Sequence, residues 1–401
     1  MTVTIKKSKA VGTVSAPPSK SATHRALICG ALSGGSKIEN IEYSNDILAT
    51  LDCLKAIGAR IEKNGNTVTL GELNPSLNEG AVLYCRESGS TLRFMIPLCM
   101  LSGATITLVG SERLFERNLD IYEQVATKNE ILFEKSKDSL TVCGTLKSGD
   151  YKVAGNISSQ FISGLLFALP LCDGDSSLEI TGEYESEPYV ELTLKVLGDF
   201  GVVIEKQDRI YKIKGNQKYI TKNMIVEGDY SNAAFLDGFN LLGGNVTVTG
   251  LDSDSLQGDK IYKQMYAQLK NGEKQFDLSQ CPDLAPIMFA LSSAYGGAYF
   301  TGTKRLKIKE SDRASSMAEE LSKFGIKVDV ADNSVTVHGG ELKTPTEILC
   351  GHNDHRIVMA LSVLCTLTGG SISGAESVAK SYPDYFEKIK TLGIVMENEF
   401  K

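Results

Sequence analysis

The sequence has no long hydrophobic run and no recognisable targeting signal. The longest apolar candidate, residues 161–172, is interrupted by Ser163, Gly164 and Pro170, so it cannot span a membrane as a helix. Residues 1–20 alternate Val, Thr, Ile and Lys, which predicts a strand instead of a signal or transit peptide. These features predict a cytoplasmic protein without a membrane partner.

Patterns typical of metal sites are also missing. The nine cysteines are scattered, odd in number and not arranged in close pairs, which predicts buried thiols in a reducing cytoplasm. The chain has only four histidines. His352 and His355 are three residues apart, a spacing that suits a metal, but no third ligand has a matching position. We therefore expect no metal site.

The chain lacks an excess of positive charge. Its formal net charge is −7 at pH 7, which argues against nucleic acid as the main partner. Lysines and arginines that cluster at turns and helix starts are then more informative, because they oppose the overall charge. The members of this set are Lys20, Arg25, Arg93, Arg117, Lys309, Arg313, Arg356 and Lys380. They predict a binding site for small, multiply anionic molecules.

An internal repeat is the strongest indication of architecture. Each copy has an amphipathic helix, a turn with glycine and two short strands, and clear copies begin at Leu51, Leu192 and Met317. Weaker copies surround residues 129–142 and 262–278, and a truncated one ends the chain. Strands that alternate with helices predict an α/β or α+β layer architecture. The length accommodates about six copies, which predicts two similar domains of three copies each.

The last copy stops before its final strand, and the N-terminal strand can supply the missing one. We therefore predict one domain over residues 15–227 and a second over residues 1–14 and 228–401. If both domains point the same helix ends at one cleft, the cationic side chains meet in that interdomain cleft.

The segment 16–25 combines a helix start with basic side chains. Ser19 or Ser21 can cap the helix, Lys20 and Arg25 flank its first turns, and free backbone N–H groups point the same way. This pattern is typical of an anion site. The plain alternative is a capped surface helix with unrelated basic residues.

The segment 305–313 places six charged residues in nine positions, ahead of an apolar helical pattern. Ser311 or Asp312 can cap that helix. If the helix begins near Lys309, Lys309 and Arg313 lie one turn apart, and Glu310 is a neighbour of Arg313. The segment can be a solvated, ion-paired helix start. It can also be an anion site with one carboxylate for proton transfer.

Six motifs together resemble the 5-enolpyruvylshikimate-3-phosphate synthase family. They occur in the family's order along the whole chain and cover residues 18–25, 158–160, 282–283, 309–313, 353–356 and 380–386. The resemblance implies two domains, each of three βαβαββ repeats, in an inside-out α/β barrel arrangement. It also places the active site in the interdomain cleft and implies no metal or organic cofactor.

The activity that the resemblance implies is a carboxyvinyl (enolpyruvyl) transfer in chorismate and aromatic amino-acid biosynthesis. The carboxyvinyl group of phosphoenolpyruvate moves to the 5-hydroxyl of shikimate 3-phosphate through a tetrahedral intermediate, with release of phosphate. The 5-hydroxyl must lose a proton while the methylene carbon gains one, so a pair of acid–base groups is needed.

The resemblance assigns roles to individual positions. The expected ligands of shikimate 3-phosphate are Lys20, Ser21, Arg25, Ser158, Ser159, Gln160, Ser186, Asp283 and Lys309. The expected ligands of phosphoenolpyruvate are Lys20, Gly89, Arg117, Gln160, Arg313, Arg356 and Lys380. The expected catalytic residues are Asp283, Glu310 and Lys20. We assign Asp283, with Lys20, to the hydroxyl and Glu310 to the methylene carbon, and the reverse assignment stays open.

Other functions also stay open from the sequence. The sister enolpyruvyl transferase that acts on UDP-N-acetylglucosamine normally has a cysteine acid in a loop, and residues 111–120 contain none. A non-catalytic relative would bind phosphosugars without releasing phosphate. An RNA 3′-phosphate cyclase relative would share part of the fold, but the net acidity opposes it. We expect a monomer.

Overall fold

A computed structural model of the protein describes residues 1–71 and 79–399. These residues form two compact units. The inserted unit is Pro18–Glu227, and the terminal unit joins Met1–Pro17 to Gly228–Lys401. Each unit buries its own set of apolar side chains and therefore has its own hydrophobic core. Within the described residues, no helix is both long enough and apolar enough to cross a membrane.

The chain begins with two strands of the terminal unit, β1 (Thr2–Ile5) and β2 (Val11–Ser15). The helices of the inserted unit then follow as α1 (Lys20–Ser33), α2 (Asn45–Ala56), α3 (Gly89–Cys99), α4 (Glu112–Glu116), α5 (Asp120–Lys128), α6 (Ser159–Ala168) and α7 (Glu187–Asp199). The strands of this unit are β3 (Ser36–Glu39), β4 (Ile61–Asn64), β5 (Thr67–Leu70), β6 (Val82–Arg86), β7 (Ile106–Gly110), β8 (Leu132–Lys135), β9 (Ser139–Cys143), β10 (Asp150–Ala154), β11 (Ser176–Thr181), β12 (Ile204–Gln207), β13 (Ile210–Ile213) and β14 (Met224–Ile225).

The strands of the inserted unit form sheets of four, in the orders β14-β3-β5-β4, β6-β7-β9-β8 and β10-β11-β13-β12. In each sheet the first two strands are parallel and the last two form an antiparallel hairpin. A parallel pair needs a crossover connection, which a helix supplies, whereas a hairpin needs only a short turn. The predicted α/β architecture of repeated units is confirmed.

The helices of this unit differ in burial because they differ in composition. The first helix of each repeat (α1, α3 or α6) is largely apolar, and Leu27, Ile96 and Leu165 have no exposed surface. The second helix, such as α2 or α7, buries one stripe that includes Leu54 and Val196 and keeps a polar outer face. The core therefore lies around the first helices, whose N-terminal ends carry most of the predicted site residues.

The helices of the terminal unit are α8 (Tyr230–Leu241), α9 (Tyr262–Lys270), α10 (Ala285–Ala294), α11 (Arg313–Lys323), α12 (His355–Thr368) and α13 (Tyr385–Thr391). Its remaining strands are β15 (Asn245–Thr249), β16 (Gln275–Asp277), β17 (Gly297–Thr301), β18 (Val328–Val330), β19 (Ser334–His338), β20 (Leu349–Cys350), β21 (Gly370–Ser373) and β22 (Met396–Glu399). Two sheets have the orders β16-β17-β19-β18 and β20-β21-β1-β22. The N-terminal strand β1 is antiparallel to both β21 and β22.

One repeat of the terminal unit departs from the pattern. The strands β2 and β15 form a sheet of two, and the helix α9 leads through residues 271–274 directly into β16, the first strand of the next sheet. The weaker copy predicted around residues 262–278 is therefore present only in part: α9 and β16 form, but the described residues 271–274 have no room for a hairpin.

Without the hairpin, one edge of β15 has no neighbouring strand among the described residues, and the side chain of Asn240 pairs with part of that edge. The Asn240 carboxamide accepts a hydrogen bond from the Val246 backbone N–H at 2.6 Å and donates one to the Val246 carbonyl at 2.8 Å. Buried backbone groups need partners, and Val246 is almost fully buried. The amide of Asn240 thus replaces one residue of a neighbouring strand.

Candidate active site

Serine side chains cap α1 and α6, two helices that carry predicted site residues in the inserted unit. Ser19 accepts a hydrogen bond from the Ala22 backbone N–H at 3.3 Å, so Ser19 and not Ser21 caps α1. Ser158 accepts one from the Gln160 backbone N–H at 3.3 Å. A serine cap is neutral, so it satisfies one backbone donor without adding negative charge to the positive end of the helix.

Arg25 is a buried cation on α1 that contacts neutral oxygen atoms. Its Nε donates to the Thr193 hydroxyl at 2.7 Å, and its Nη1 and Nη2 donate to the backbone carbonyls of Ser21 and Tyr189 at 2.7 and 2.8 Å. The described residues place no carboxylate in contact with it. Because burial removes water without supplying a counter-charge, the pKa of Arg25 is lowered to about 10. Arg25 is therefore still a cation at neutral pH, and an anion would relieve its unbalanced charge.

Lys20 and His24 connect α1 to the neighbouring helix starts. The Lys20 ammonium lies 2.8 Å from a carboxylate oxygen of Asp46, in the first turn of α2. One turn along α1, His24 Nδ1 lies 2.7 Å from the Thr50 hydroxyl, which lies 2.7 Å from the Thr91 hydroxyl of α3. Burial lowers the pKa of His24 well below its ordinary value, so this chain of contacts is neutral. It fixes the starts of α1, α2 and α3 together.

Gly89 lies beneath three long polar side chains. A methyl group at this position would lie 2.6 Å from Arg117 Nη1, 3.1 Å from Arg93 Nη1 and 3.6 Å from Gln160 Oε1. Arg93 Nη1 also donates to Gln160 Oε1 at 2.8 Å, and the Gln160 amide donates to the Ser90 hydroxyl at 2.9 Å. Any other residue at Gly89 would displace the guanidinium groups, which explains why a glycine is needed at this helix start.

Three further predicted ligands of this unit lie at helix starts, whereas Arg117 follows the last residue of α4. Ser21 is in the first turn of α1, and Ser159 is the first residue of α6 and is nearly buried. Ser186 precedes α7 in the left-handed region, with φ of 56°, and is buried. A non-glycine residue in this region indicates a local constraint.

In the terminal unit, Asp283 is the centre of a group of cations. Its Oδ1 lies 2.7 Å from Arg313 Nη1 and 3.2 Å from Lys309 Nζ, and its Oδ2 lies 2.9 Å from Arg356 Nη2. The residue comes from the 3-10 helix Pro282–Leu284 that precedes α10. The structure thus brings four residues from three predicted motifs into one cluster.

Arg313 links three carboxylates. Besides Asp283, its Nη2 donates to Glu310 at 2.6 Å and its Nε donates to Asp354 at 2.8 Å. Asp354 has no exposed surface, and it also caps α12 by accepting from the Arg356 backbone N–H at 3.0 Å. The predicted pairing of Glu310 with Arg313 is therefore present, and the two candidate acid–base groups share this guanidinium.

The helix start in this segment differs from the prediction. α11 begins at Arg313, with Asp312 as its cap, and Lys309 lies just after the 3-10 helix Lys304–Ile308. Asp312, one of the two predicted caps, is confirmed, whereas a helix start near Lys309 is wrong. Asp312 accepts from the Ser315 backbone N–H, and this cap fixes the start four residues later than expected.

The protonation states of this cluster follow from burial and charge. Burial alone would raise the pKa of Asp283, but the charges of Arg356, Lys309 and Arg313 outweigh it and hold that pKa well below its ordinary value. Burial acts to lower the pKa of Arg313, and the carboxylates of Asp354 and Glu310 overcome this and raise it. For Lys309 burial dominates, so its pKa is lowered. Asp283 is an anion and Arg313 a cation across the physiological pH range.

Lys380 contacts the segment that leads into α12. Its ammonium donates to the Asn353 backbone carbonyl at 2.6 Å. Lys380 therefore lies beside the segment that carries Asp354 and Arg356, within the same unit.

Two functional candidates were not identified from the sequence. Asp46 contacts Lys20, and an acidic residue at the second position of α2 has no local pattern that indicates this contact. Asp354 lies inside a recognised motif, but no role was assigned to it before its contact with Arg313 was known. Contacts between residues far apart in the chain have no local pattern.

A separate group of possible metal ligands exists in the terminal unit. Ligand atoms of Glu319, Glu320 and His352 lie within 4.8 Å of one another. However, the Lys323 ammonium is 2.9 Å from both carboxylate oxygens of Glu320 and would oppose a cation there. His355, the other half of the pair considered from spacing, does not belong to this group.

The sequence matches a known family over most of its length. The family model for EPSP synthase (3-phosphoshikimate 1-carboxyvinyltransferase) matches residues 5–389. The chain belongs to the EPSP synthase family. Two relatives named 3-phosphoshikimate 1-carboxyvinyltransferase are similar to it, one from Clostridium kluyveri and one from Clostridium beijerinckii. The first is 43% identical over 98% of this chain and 97% of its own. The second is 39% identical over 97% of each.

Solved structures show the same fold. The EPSP synthase from Acinetobacter baumannii superposes with a TM-score of 0.79 at 21% identity, with full coverage of both chains. The enolpyruvyl transferase NikO from Streptomyces tendae has a TM-score of 0.74 at 15% identity and covers 99% of this chain and 98% of its own. The fold prediction made from the repeat and the motifs is confirmed for this member of the EPSP synthase family.

Proposed function

We propose that the protein transfers the carboxyvinyl group of phosphoenolpyruvate to the 5-hydroxyl of shikimate 3-phosphate and releases phosphate. Family membership and the names of the relatives support this reaction. The observation that carries it is the group around Asp283, where two carboxylates of the predicted acid–base set share a buried arginine. Such a pair suits a reaction that must remove one proton and deliver another.

The inserted unit is suited to bind shikimate 3-phosphate. Arg25 has no carboxylate partner within the described residues, and it lies one turn from the serine-capped start of α1. A phosphate there would receive hydrogen bonds from a cation and from a helix end. Ser158 and Ser159 at the start of α6 add hydroxyl donors without adding charge.

The terminal unit is suited to bind phosphoenolpyruvate and to move protons. Asp283 is held as a carboxylate by Lys309, Arg313 and Arg356, and with its low pKa it is a weak base. A bound anion would compete for the same cations. As those contacts shift to the ligand, the pKa of Asp283 rises towards its ordinary value, and Asp283 becomes a better proton acceptor for the 5-hydroxyl.

The second proton goes to the methylene carbon of phosphoenolpyruvate, and we assign it to Glu310. Its contact with Arg313 places it beside the predicted phosphoenolpyruvate ligands. The tetrahedral intermediate then loses phosphate and returns a proton from the methyl carbon. The fixed cations of the cluster stabilise the charge that develops on the departing phosphate.

Lys20, Gly89, Arg117 and Gln160 are proposed as further ligands. The close approach of Arg117 and Gln160 to Gly89 supports a joint role in holding an anion. That both clusters act in one reaction stays a prediction, as do the monomeric state and the cytoplasmic location.

A phosphate-release assay tests the proposal. Purified protein with both substrates and a chelator should release phosphate in proportion to the enolpyruvyl product. With either substrate alone no release is expected. Release that requires UDP-N-acetylglucosamine in place of shikimate 3-phosphate would reassign the chain to the sister reaction, and tight binding of both substrates without release would indicate a non-catalytic relative.

A further inference from the structure

Glu320, in the middle of α11, has no exposed surface, and several hydrogen bonds converge on its carboxylate. Lys323 Nζ lies 2.9 Å from both oxygens, the Cys350 backbone N–H donates to Oε2 at 2.9 Å, and His352 Nε2 lies 2.8 Å from Oε1. Burial acts to raise the pKa of Glu320, but the hydrogen bonds from His352 and Lys323 outweigh it and lower that pKa. Glu320 is therefore a stable, charged acceptor.

The segment that Glu320 contacts leads from β20 into α12 and has an unusual backbone. His352 and Asn353 have φ of 48° and 52°, so two consecutive residues with side chains occupy the left-handed region. Residues other than glycine adopt this region at a cost and keep it only when their surroundings hold them. The His352 contact with Glu320 is one restraint, and the Lys380 contact with the Asn353 carbonyl is another.

The same segment sets the position of the cationic cluster. The Asp354 backbone N–H donates to the Gly351 carbonyl at 2.8 Å, and its side chain holds both Arg313 and the first turn of α12. α11 thus contacts this segment twice, through Arg313 at its start and through Glu320 about two turns later.

We propose that Glu320 and His352 are positioning residues for phosphoenolpyruvate binding. Their contact holds residues 351–354 so that Asp354 and Arg356 keep Arg313 and Asp283 in the geometry described above. Glu320 and His352 act only through these residues. The inference rests on the proposed function, because it takes the cationic cluster to be the phosphoenolpyruvate site.

A metal ion is a poorer explanation of the same residues. The Lys323 ammonium already contacts both Glu320 oxygens, and the side chain of Glu319, the third possible ligand, is mostly exposed and 4.0 Å from His352 Nε2. A direct imidazole–carboxylate contact accounts for the observed distances without an ion.

The test compares His352→Ala with His352→Gln by steady-state kinetics of the full-length protein. Loss of the imidazole should raise KM for phosphoenolpyruvate about tenfold, with kcat and KM for shikimate 3-phosphate within about threefold, because small displacements of a positioned group are costly. His352→Gln places an amide donor towards Glu320 and should recover most of the loss. Glu320→Gln keeps the volume but weakens the contact, and it should change the same constant.

Glu319→Ala is the matched control, since it removes a neighbouring carboxylate on the same helix, and it should leave all three constants within about twofold. Equal KM values for the wild type and His352→Ala would overturn the inference, and so would a His352→Gln variant no better than His352→Ala. A wild-type protein that releases no phosphate would instead overturn the proposed function. Melting temperatures of each variant separate loss of folding from loss of positioning.

Discussion

The two units cap their helices with different residues. In the inserted unit the caps that accept a backbone hydrogen bond are serines, at Ser19, Ser44, Ser88, Ser111 and Ser158. In the terminal unit they are aspartates, at Asp229, Asp312 and Asp354. A serine leaves the positive end of a helix uncompensated, whereas an aspartate supplies a negative charge at the same place.

One buried arginine in each unit shows the same division. Arg25 of the inserted unit contacts hydroxyl and carbonyl oxygens and its pKa is lowered, while Arg313 of the terminal unit contacts three carboxylates and its pKa is raised. In the proposed function, the first arrangement offers an unbalanced positive charge to a ligand. The second arrangement holds the charge in ion pairs that a ligand rearranges, and its carboxylates carry out the proton transfers. We therefore propose that one repeated fold serves both binding and chemistry.

The largest effect is expected from removing the terminal-unit carboxylate to which we assign a proton transfer. Glu310→Gln should lower kcat by about 10³-fold, because the amide keeps the shape but cannot transfer a proton. Both KM values should stay within about threefold of wild type. Phosphate release measures the effect, and Glu319→Gln on α11 is the control. An unchanged kcat would remove Glu310 from catalysis.

The free energy of unfolding tests the contrast between aspartate caps and serine caps. Asp354→Asn should lower the free energy of unfolding by about 3 kcal/mol, because it leaves part of the Arg313 charge unpaired in the interior. Ser44→Ala, at a neutral cap of the inserted unit, should cost only about 1 kcal/mol. Urea unfolding without substrates measures both. Equal losses would mean that the charge of the aspartate cap contributes nothing beyond its hydrogen bonds.

The KM for shikimate 3-phosphate tests whether the uncompensated charge of Arg25 binds this substrate. Arg25→Gln should raise KM for shikimate 3-phosphate about 30-fold, as expected for the loss of hydrogen bonds to a charged group. KM for phosphoenolpyruvate should change little. Arg113→Gln removes an exposed arginine of the same unit and serves as the control. A larger effect on phosphoenolpyruvate would exchange the assignments of the two units.

The smallest effect concerns acid stability. The pKa of Asp283 is depressed in the folded state, so its contribution to stability is complete above the unfolded value of 3.8 and is lost as pH falls through the folded value. The difference in unfolding free energy between wild type and Asp283→Asn should therefore shrink as pH falls below about 4. Urea unfolding at several pH values measures it. A difference that stays constant or grows in acid would contradict the ion-pair description.

Local features of the sequence predicted much of this molecule. Ser19, one of the two predicted caps, caps its helix, and Glu310 pairs with Arg313, because both contacts join residues three apart in the chain. The recurring helix–strand pattern predicted the α/β repeats, because it too is read from residues that are close together in the chain. α11 does not begin near Lys309, because residues 304–308 form a 3-10 helix and the Asp312 side chain accepts the Ser315 backbone N–H, so that the α-helix begins at Arg313.

The long-range contacts were not predictable from local patterns. Asp46 meets Lys20 across 26 positions, and Asp354 meets Arg313 across 41. Neither acidic residue has a neighbour in the sequence that indicates its partner. The copy around residues 262–278 was only weakly indicated by the sequence, and in the structure its helix α9 is present while the hairpin that follows the helix in other copies is absent from the described residues 271–274.

The shortened fourth repeat has a practical consequence for engineering. The exposed link at residues 271–274 joins a helix to a strand at the point where other copies carry a two-stranded ribbon. The architecture therefore already accommodates extra chain at this position of a repeat. A foreign peptide, such as an affinity tag or a fluorescent reporter loop, should be tolerated between Asn271 and Gly272 at little energetic expense.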